Sequence, residues 1–308
     1  MQKADLKKRR QFTKEDWQIY SFFIPAAILI ILFSYVPMYG IVMAFQNYRA
    51  GNDIFDLVNA KWVGLKFFKQ YLNSTYFART FTNTIRLSVL NLLFGFTMPI
   101  IFALLLNEVR NLKVKKTVQT ISYLPHFIST VVVAGMVISF TDMNGLINNF
   151  LGVFGIAPVE WLVKAENFPG IYTITNVWKE FGFGSILYFS TLSSIDPQMY
   201  EAARIDGANR WQQMLYITLP SLAFIIAVQL VMQTGKMLQS NRDLILLLYR
   251  SSNATMSDTI STYVYRQGIE GGKYSFATAV GLFSSLIGLA LTIISNKVSN
   301  KVSGYGLW

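Results

Sequence analysis

Cysteine is absent from the 308 residues, which excludes disulfides and thiolate metal sites and leaves the redox compartment unmarked. Histidine occurs once, at His126, so no multi-histidine metal site is expected. Charge is scarce as well. Asp, Glu, Lys and Arg make up 14% of the chain, against about 25% in an ordinary soluble domain, too little polar surface for a fold surrounded by water. No G-x-x-x-x-G-K-[ST] sequence occurs. Gly235-Lys236 and Gly272-Lys273 lack both the upstream glycine and the following Ser/Thr, so the chain cannot cradle ATP in that manner. Convergent carboxylates, histidines or cysteines of an embedded enzyme are missing too, and neither catalysis nor a cofactor is expected.

What the chain has is hydrophobic length. Apolar residues make up 53% of it, concentrated in six segments near 20–45, 82–106, 121–141, 171–193, 216–238 and 277–296. Each is long enough to cross a hydrocarbon core of about 30 Å as a helix. Lipid offers no partner to an unpaired amide, so the fold class expected is an all-α integral membrane protein with six transmembrane helices. The first segment is far longer than the h-region of a cleavable signal and is read as a signal anchor. The net charge of +11 comes from basic residues flanking apolar spans, not from one patch, which points to a membrane surface and not to nucleic acid. An even span count puts both termini on one side. The basic runs Lys7-Lys8-Arg9-Arg10 and Arg110 to Lys116 place that side in the cytoplasm. The expected organisation is a basic tail over 1–19, one membrane domain over 20–296 and a second tail over 297–308. Trp17, Tyr20, Tyr48 and Tyr71 fit interfacial anchoring.

A polar loop, 194–216, separates the fourth and fifth spans. Asp196-Pro197 is a strong helix start, with Asp at the N-cap and Pro at the first helical position. Gly207 follows as the residue able to take a left-handed conformation and end that helix. A second helical piece then leads through Trp211 and Leu215 to Pro220, giving a helix–turn–helix. Ala202 and Ala203 make a side-chain-poor surface that suits a partner's groove, with Glu201, Arg204, Asp206 and Arg210 around it. An amphipathic loop resting on lipid would instead set large apolar residues opposite Lys and Arg.

Glu201-Ala202-Ala203, Gly207 and Ile217-Thr218-Leu219-Pro220 match EAA-x3-G-x9-I-x-LP at every fixed position. In this the chain resembles the type I ABC-importer permeases. Tyr35 to Gly40, Ala103 to Glu108 and Tyr123 to Ser129 extend the resemblance to the carbohydrate-uptake branch, near those for multiple sugars or polysaccharides. The resemblance implies a bacterial plasma-membrane subunit whose 194–216 loop is a cytoplasmic coupling helix. It implies a second homologous permease, two ATP-binding subunits, an extracellular solute-binding protein and a sugar substrate. Glu201, Ala202, Ala203, Arg204, Asp206, Gly207, Ile217, Leu219 and Pro220 would then be the residues through which the ATPases act.

Candidate residues for the substrate path come from polar groups inside the spans. Gln229, Gln233 and Lys236 recur at i, i+4 and i+7, so they share one helix face. A mid-span lysine costs about 2.5–3.5 kcal/mol on insertion scales, so such a face turns to the bundle interior or a water-filled path. Lys236 lies near the outer end, where its stem can snorkel. The two glutamines suit either a translocation path or interhelical hydrogen bonds. Trp178 is a candidate platform for the C–H face of a sugar, or a packing residue, and Asn91 is a further path candidate. Lys179 and Glu180 are adjacent, do not share a face, and are not expected to pair. His126 is expected to make a local hydrogen bond, with a proton relay as the alternative.

Three longer loops, near 46–81, 142–170 and 239–276, fall on the opposite side from 194–216. In the third, Ser257-Asp258-Thr259 can cap a short helix running to Gly268. The rival reading is an ion-gradient-driven secondary transporter. It would show an inverted repeat and mid-membrane acidic residues, neither of which the sequence presents.

Overall fold

The computed structural model describes residues 13–48 and 60–308. The basic run Lys7 to Arg10 and part of the first long loop lie outside the described residues. Helices dominate, and the single β-bridge among the described residues joins Gln46 to Trp62.

Among the described residues, four helices are long and apolar enough to cross a membrane: Asp16–Phe45, Thr75–Asn107, Thr130–Gly152 and Tyr274–Ser303. A fifth arises if Arg210–Ser221 and Ala223–Gly235, bent by 58°, form one span. The six continuous spans expected from hydropathy are therefore corrected in three places. The third, 121–141, is two helices, Leu112–Phe127 and Thr130–Thr141. Ile128 and Ser129 are extended between them, because the Ser129 hydroxyl accepts from Val132 N at 3.3 Å and starts a new helix instead of continuing the old one. The fourth, 171–193, is Phe168–Gly184 and Ile186–Ser193 on either side of Ser185, and its first part buries Thr173, Thr175, Asn176 and Lys179. The fifth bends at Leu222, two residues after Pro220. A mid-helix proline has no N–H to give and its ring crowds the carbonyl four residues back, so the wide turn Met214–Thr218 and the bend follow.

The last helix also runs beyond its expected end. It continues through Ser303, so residues 297–303 of the expected tail extend the same helix. Gly304 then reverses the chain at φ 72°, and Leu307 N donates to Asn296 Oδ1 at 2.7 Å.

Among the described residues, three buried apolar clusters hold these elements together. Ala44, Tyr71, Ile260, Tyr263, Phe276 and Val280 form one at the end carrying the long loops. Leu87, Phe168, Tyr172, Leu244 and Leu248 form a second. Ile100, Ala103, Tyr188, Leu192 and Leu222 form the third, toward the 194–216 loop. Contact between Leu112–Phe127 and Phe168–Gly184 depends on Gly182, where any Cβ would fall on the Ser122 carbonyl. These helices frame the space in which the polar residues meet.

Candidate functional site

The 194–216 loop folds as two capped helices set by local chemistry. Asp196 Oδ1 accepts from Gln198 N at 2.9 Å and opens the helix Pro197–Ile205. Gly207 closes it at φ 79°. Its N–H bonds the Arg204 carbonyl at 3.1 Å, and Ala208 N bonds the Ala203 carbonyl at 2.8 Å. That pair of bonds is the Schellman arrangement, which satisfies carbonyls left open at a helix end. Asn209 and Gln212 then cap each other reciprocally to start Arg210–Gln213. One long-range bond braces the two arms: Tyr200 Oη lies 3.0 Å from Thr218 Oγ1, and Thr218 is buried.

The face this fold presents is unpaired. Glu201, Ala202, Arg204, Asp206 and Gly207 are exposed, Ala203, Ile217 and Leu219 are half-buried, and Pro220 is exposed. Among the described residues, none of Glu201, Arg204, Asp206 and Arg210 joins an ion pair. Large apolar side chains flank them: Ile205 is 87% exposed, Tyr216 77% and Trp211 66%. The motif does not fix these three residues. Their signal was present only as apolar residues in a loop too short to bury them. Beside them lies a cleft of about 720 Å³ walled by Glu108, Arg110, Tyr200, Arg204 and Arg210.

Among the path candidates, Asn91, Gln229 and Gln233 come together and Trp178 does not. The three line a cavity of about 250 Å³ with Asn176, Glu180 and Tyr188. A second cavity of about 400 Å³ shares Asn91, Asn176, Glu180 and Gln233 and adds Lys236 and Ser240. Its wall is held by a relay of amides. Asn176 Nδ2 donates to Asn91 Oδ1 at 2.9 Å, Asn241 Nδ2 donates to Asn176 Oδ1 at 3.3 Å, and Asn241 N donates to Tyr172 Oη at 3.1 Å. Gln229 and Gln233 have no side-chain hydrogen-bond partner among the described residues, so their amides stay available to whatever enters. Trp178 instead lines an apolar cleft of about 320 Å³ with Val133, Phe140 and Ile174.

Lys179 and Glu180 do meet, against the expectation from their adjacency. Lys179 Nζ lies 3.3 Å from Glu180 Oε1, and His126 Nδ1 lies 2.8 Å from Glu180 Oε2. The two long side chains curl toward a third residue, since Lys179 Nζ also donates to the His126 carbonyl at 3.0 Å. His126 therefore bonds across 54 residues instead of locally, and its ring stacks on Phe183 at 3.9 Å and 4°. The cluster ties the C-terminus of Leu112–Phe127, where carbonyls lose their helical donors, to the neighbouring helix.

At the far end the third long loop is locked down. Thr259 caps Ile260–Tyr265 through a reciprocal box with Thr262. Asp258 is fully buried; it accepts from Arg79 Nη2 at 3.0 Å, Arg266 Nη2 at 2.6 Å and Thr262 Oγ1 at 3.1 Å. Asn83 donates to the Asp258 and Thr255 carbonyls, at 3.0 and 2.9 Å. Tyr71 is buried beneath, stacked on Tyr263 at 5.9 Å and bonded to Thr80 Oγ1 at 2.9 Å, and burial pushes its phenol up to about 12.

Comparison with known proteins bears on the whole chain. The family model described as binding-protein-dependent transport system inner membrane component matches residues 95–304. The polygalacturonan/rhamnogalacturonan transport system permease protein YteP of Bacillus subtilis (strain 168) is 37% identical over 305 residues, covering 98% of this chain and 94% of YteP. A bacterial ABC transporter involved in the import of the acidic polysaccharide alginate has a chain 42% identical, with a TM-score of 0.86 over 94% of this chain and 97% of its own. A second structure shows a bacterial alginate ABC transporter in complex with an alginate pentasaccharide-bound periplasmic protein. It is 41% identical with a TM-score of 0.87, covering 96% of this chain and 98% of that one.

Proposed function

The chain belongs to the family of binding-protein-dependent transport system inner membrane components, and from that premise we propose that it is the permease subunit of an ABC importer for a saccharide. The observation carrying the reading is the Schellman-closed helix Pro197–Ile205, which leaves Ala202 and Ile205 exposed and Ala203 half-buried, with Glu201, Arg204 and Asp206 in no ion pair among the described residues. Small residues let a partner's groove close around the helix, and exposed Ile205 and Trp211 supply apolar area to bury there. The partner is an ATP-binding subunit, since this chain lacks a phosphate loop of its own. Closure of two such subunits would push on Pro197–Ile205. Through the Tyr200–Thr218 brace and the 58° bend at Leu222, the push would reach the helix Ala223–Gly235, which carries Gln229 and Gln233.

In this reading the substrate path is the polar space between Asn91, Asn176, Gln229 and Gln233, completed by a second, homologous permease. The Gln229 and Gln233 amides, unengaged among the described residues, are suited to sugar hydroxyls, because they trade one hydrogen bond for another as the sugar sheds water. The end carrying the long loops faces the binding protein, its loop 239–276 held rigid by Asp258. Both termini then lie in the cytoplasm. A cysteine at exposed Ser252 should react with an impermeant thiol reagent in intact bacterial cells, and one at exposed Val302 should not. Purified with its native partners in liposomes, the complex should hydrolyse ATP faster with the saccharide-loaded binding protein. A chain that moved sugar down an ion gradient without ATPase subunits would contradict the reading.

A further inference from the structure

The larger polar cavity has an unbalanced charge. Two ionisable side chains that charge at neutral pH line it, Glu180 and Lys236. The carboxylate is matched: Lys179 Nζ sits 3.3 Å from one oxygen and His126 Nδ1 2.8 Å from the other. Lys179 is itself buried and spends a further hydrogen bond on the His126 carbonyl. Lys236 has neither an ion pair nor a side-chain hydrogen bond among the described residues. It stands just past the C-terminus of Ala223–Gly235, a place that favours a cation through the helix dipole. The dipole explains a lysine there. It does not explain the surroundings: the unengaged Gln233 amide in the same wall, and the Ser240 hydroxyl buried there without a partner.

We propose that this cavity selects an acidic saccharide, with the Lys236 ammonium taking the carboxylate of a uronate residue and the Gln233 amide a neighbouring hydroxyl. A single ammonium flanked by neutral amides suits a singly charged carboxylate; a phosphate dianion calls for more than one cation around it. Glu180, already neutralised, does not repel that carboxylate. The inference rests on the transport reading above and specifies its substrate.

The test uses the complete transporter in liposomes, with its partner permease, ATPase subunits and binding protein. Sugar imported per ATP hydrolysed is measured with a short oligogalacturonide and with its carboxyl-reduced, neutral counterpart. Wild type should import the oligogalacturonide. Lys236→Gln should lower that yield about tenfold or more, the loss of one charge-assisted hydrogen bond, while binding-protein-stimulated ATP hydrolysis stays within about twofold. Lys236→Arg should restore most of the yield. An unchanged yield in Lys236→Gln overturns the proposal, as does failure of both Lys236→Gln and Lys236→Met to assemble, which would mark a structural lysine. Wild type importing only the neutral sugar sinks the acidic selectivity and leaves the transport reading standing. If no saccharide-loaded binding protein stimulates ATP hydrolysis in wild type, the transport reading itself fails.

Discussion

The two ends of the molecule solve opposite problems. At the end carrying the long loops, the buried charge is paired within the chain: Asp258 is fully buried between Arg79 and Arg266, whose Nε and Nη1 atoms respectively are left without a hydrogen bond, and Tyr263 stacks on both Tyr71 and Tyr76. At the 194–216 end the backbone is satisfied by caps, yet the side chains are not. Among the described residues Glu201, Arg204, Asp206 and Arg210 have no ion pairs, and Ile205 stands almost wholly in the open. One end is finished by its own residues. The other is a rigid shape left for a partner to finish.

The contrast predicts which substitutions unfold the protein and which only separate it from partners. Asp258→Ala should have the largest effect on stability, about 3–5 kcal/mol, because it strands two guanidinium groups that are largely enclosed. Thermal unfolding of the purified complex reads it; a small shift would mean that this end is not self-contained. Alkali should come next. The Tyr71 phenol is neutral in the fold with its pKa raised from 10 to about 12, so the fold favours the protonated form. Its contribution is fully present below pH 10 and is lost as pH rises through 12, a loss of roughly 2–3 kcal/mol. Tyr71→Phe should flatten that decline between pH 10 and 12 while giving up the Thr80 bond at neutral pH.

At the opposite end the stability costs shrink. Gly207→Val forces a β-branched residue to φ 79°, a strain of about 1–3 kcal/mol confined to one turn. Ile205→Asp should change stability by less than about 0.5 kcal/mol, since the side chain touches little, and yet reduce ATPase retention on co-purification. Glu201→Ala should do least, because an exposed ion pair with a partner is worth only about 0–1 kcal/mol.

The 194–216 loop was legible because its signals are local. Asp196 before Pro197 starts a helix and Gly207 ends it, whatever the rest of the chain does. The polar cavity was half legible. Gln229 and Gln233 announce a shared face by their spacing, but Asn176 and Asn241 acquire meaning only when the fold brings them to each other from 65 residues apart. The Lys179–Glu180 contact escaped because adjacency on a helix was taken to separate side chains, and His126, far away in sequence, draws them together. Hydropathy averages over single residues, so the breaks at Ser129 and Ser185 were invisible to it. Trp178 was chosen for its chemistry, and the helix turns it to an apolar cleft on another side.

The central claim is that the projecting helix Pro197–Ile205 is where chemical energy enters. It is tested most directly by co-purification of the ATPase subunits, with sugar uptake measured alongside, for Ala203→Trp and Gly207→Val. Ala203 is half-buried in the loop between the spans, outside every membrane-crossing helix, so a tryptophan there should obstruct docking without disturbing those helices. Both variants should reach the membrane and pair with the second permease, yet lose the ATPases or their transport-linked stimulation. Normal uptake by both would contradict the account.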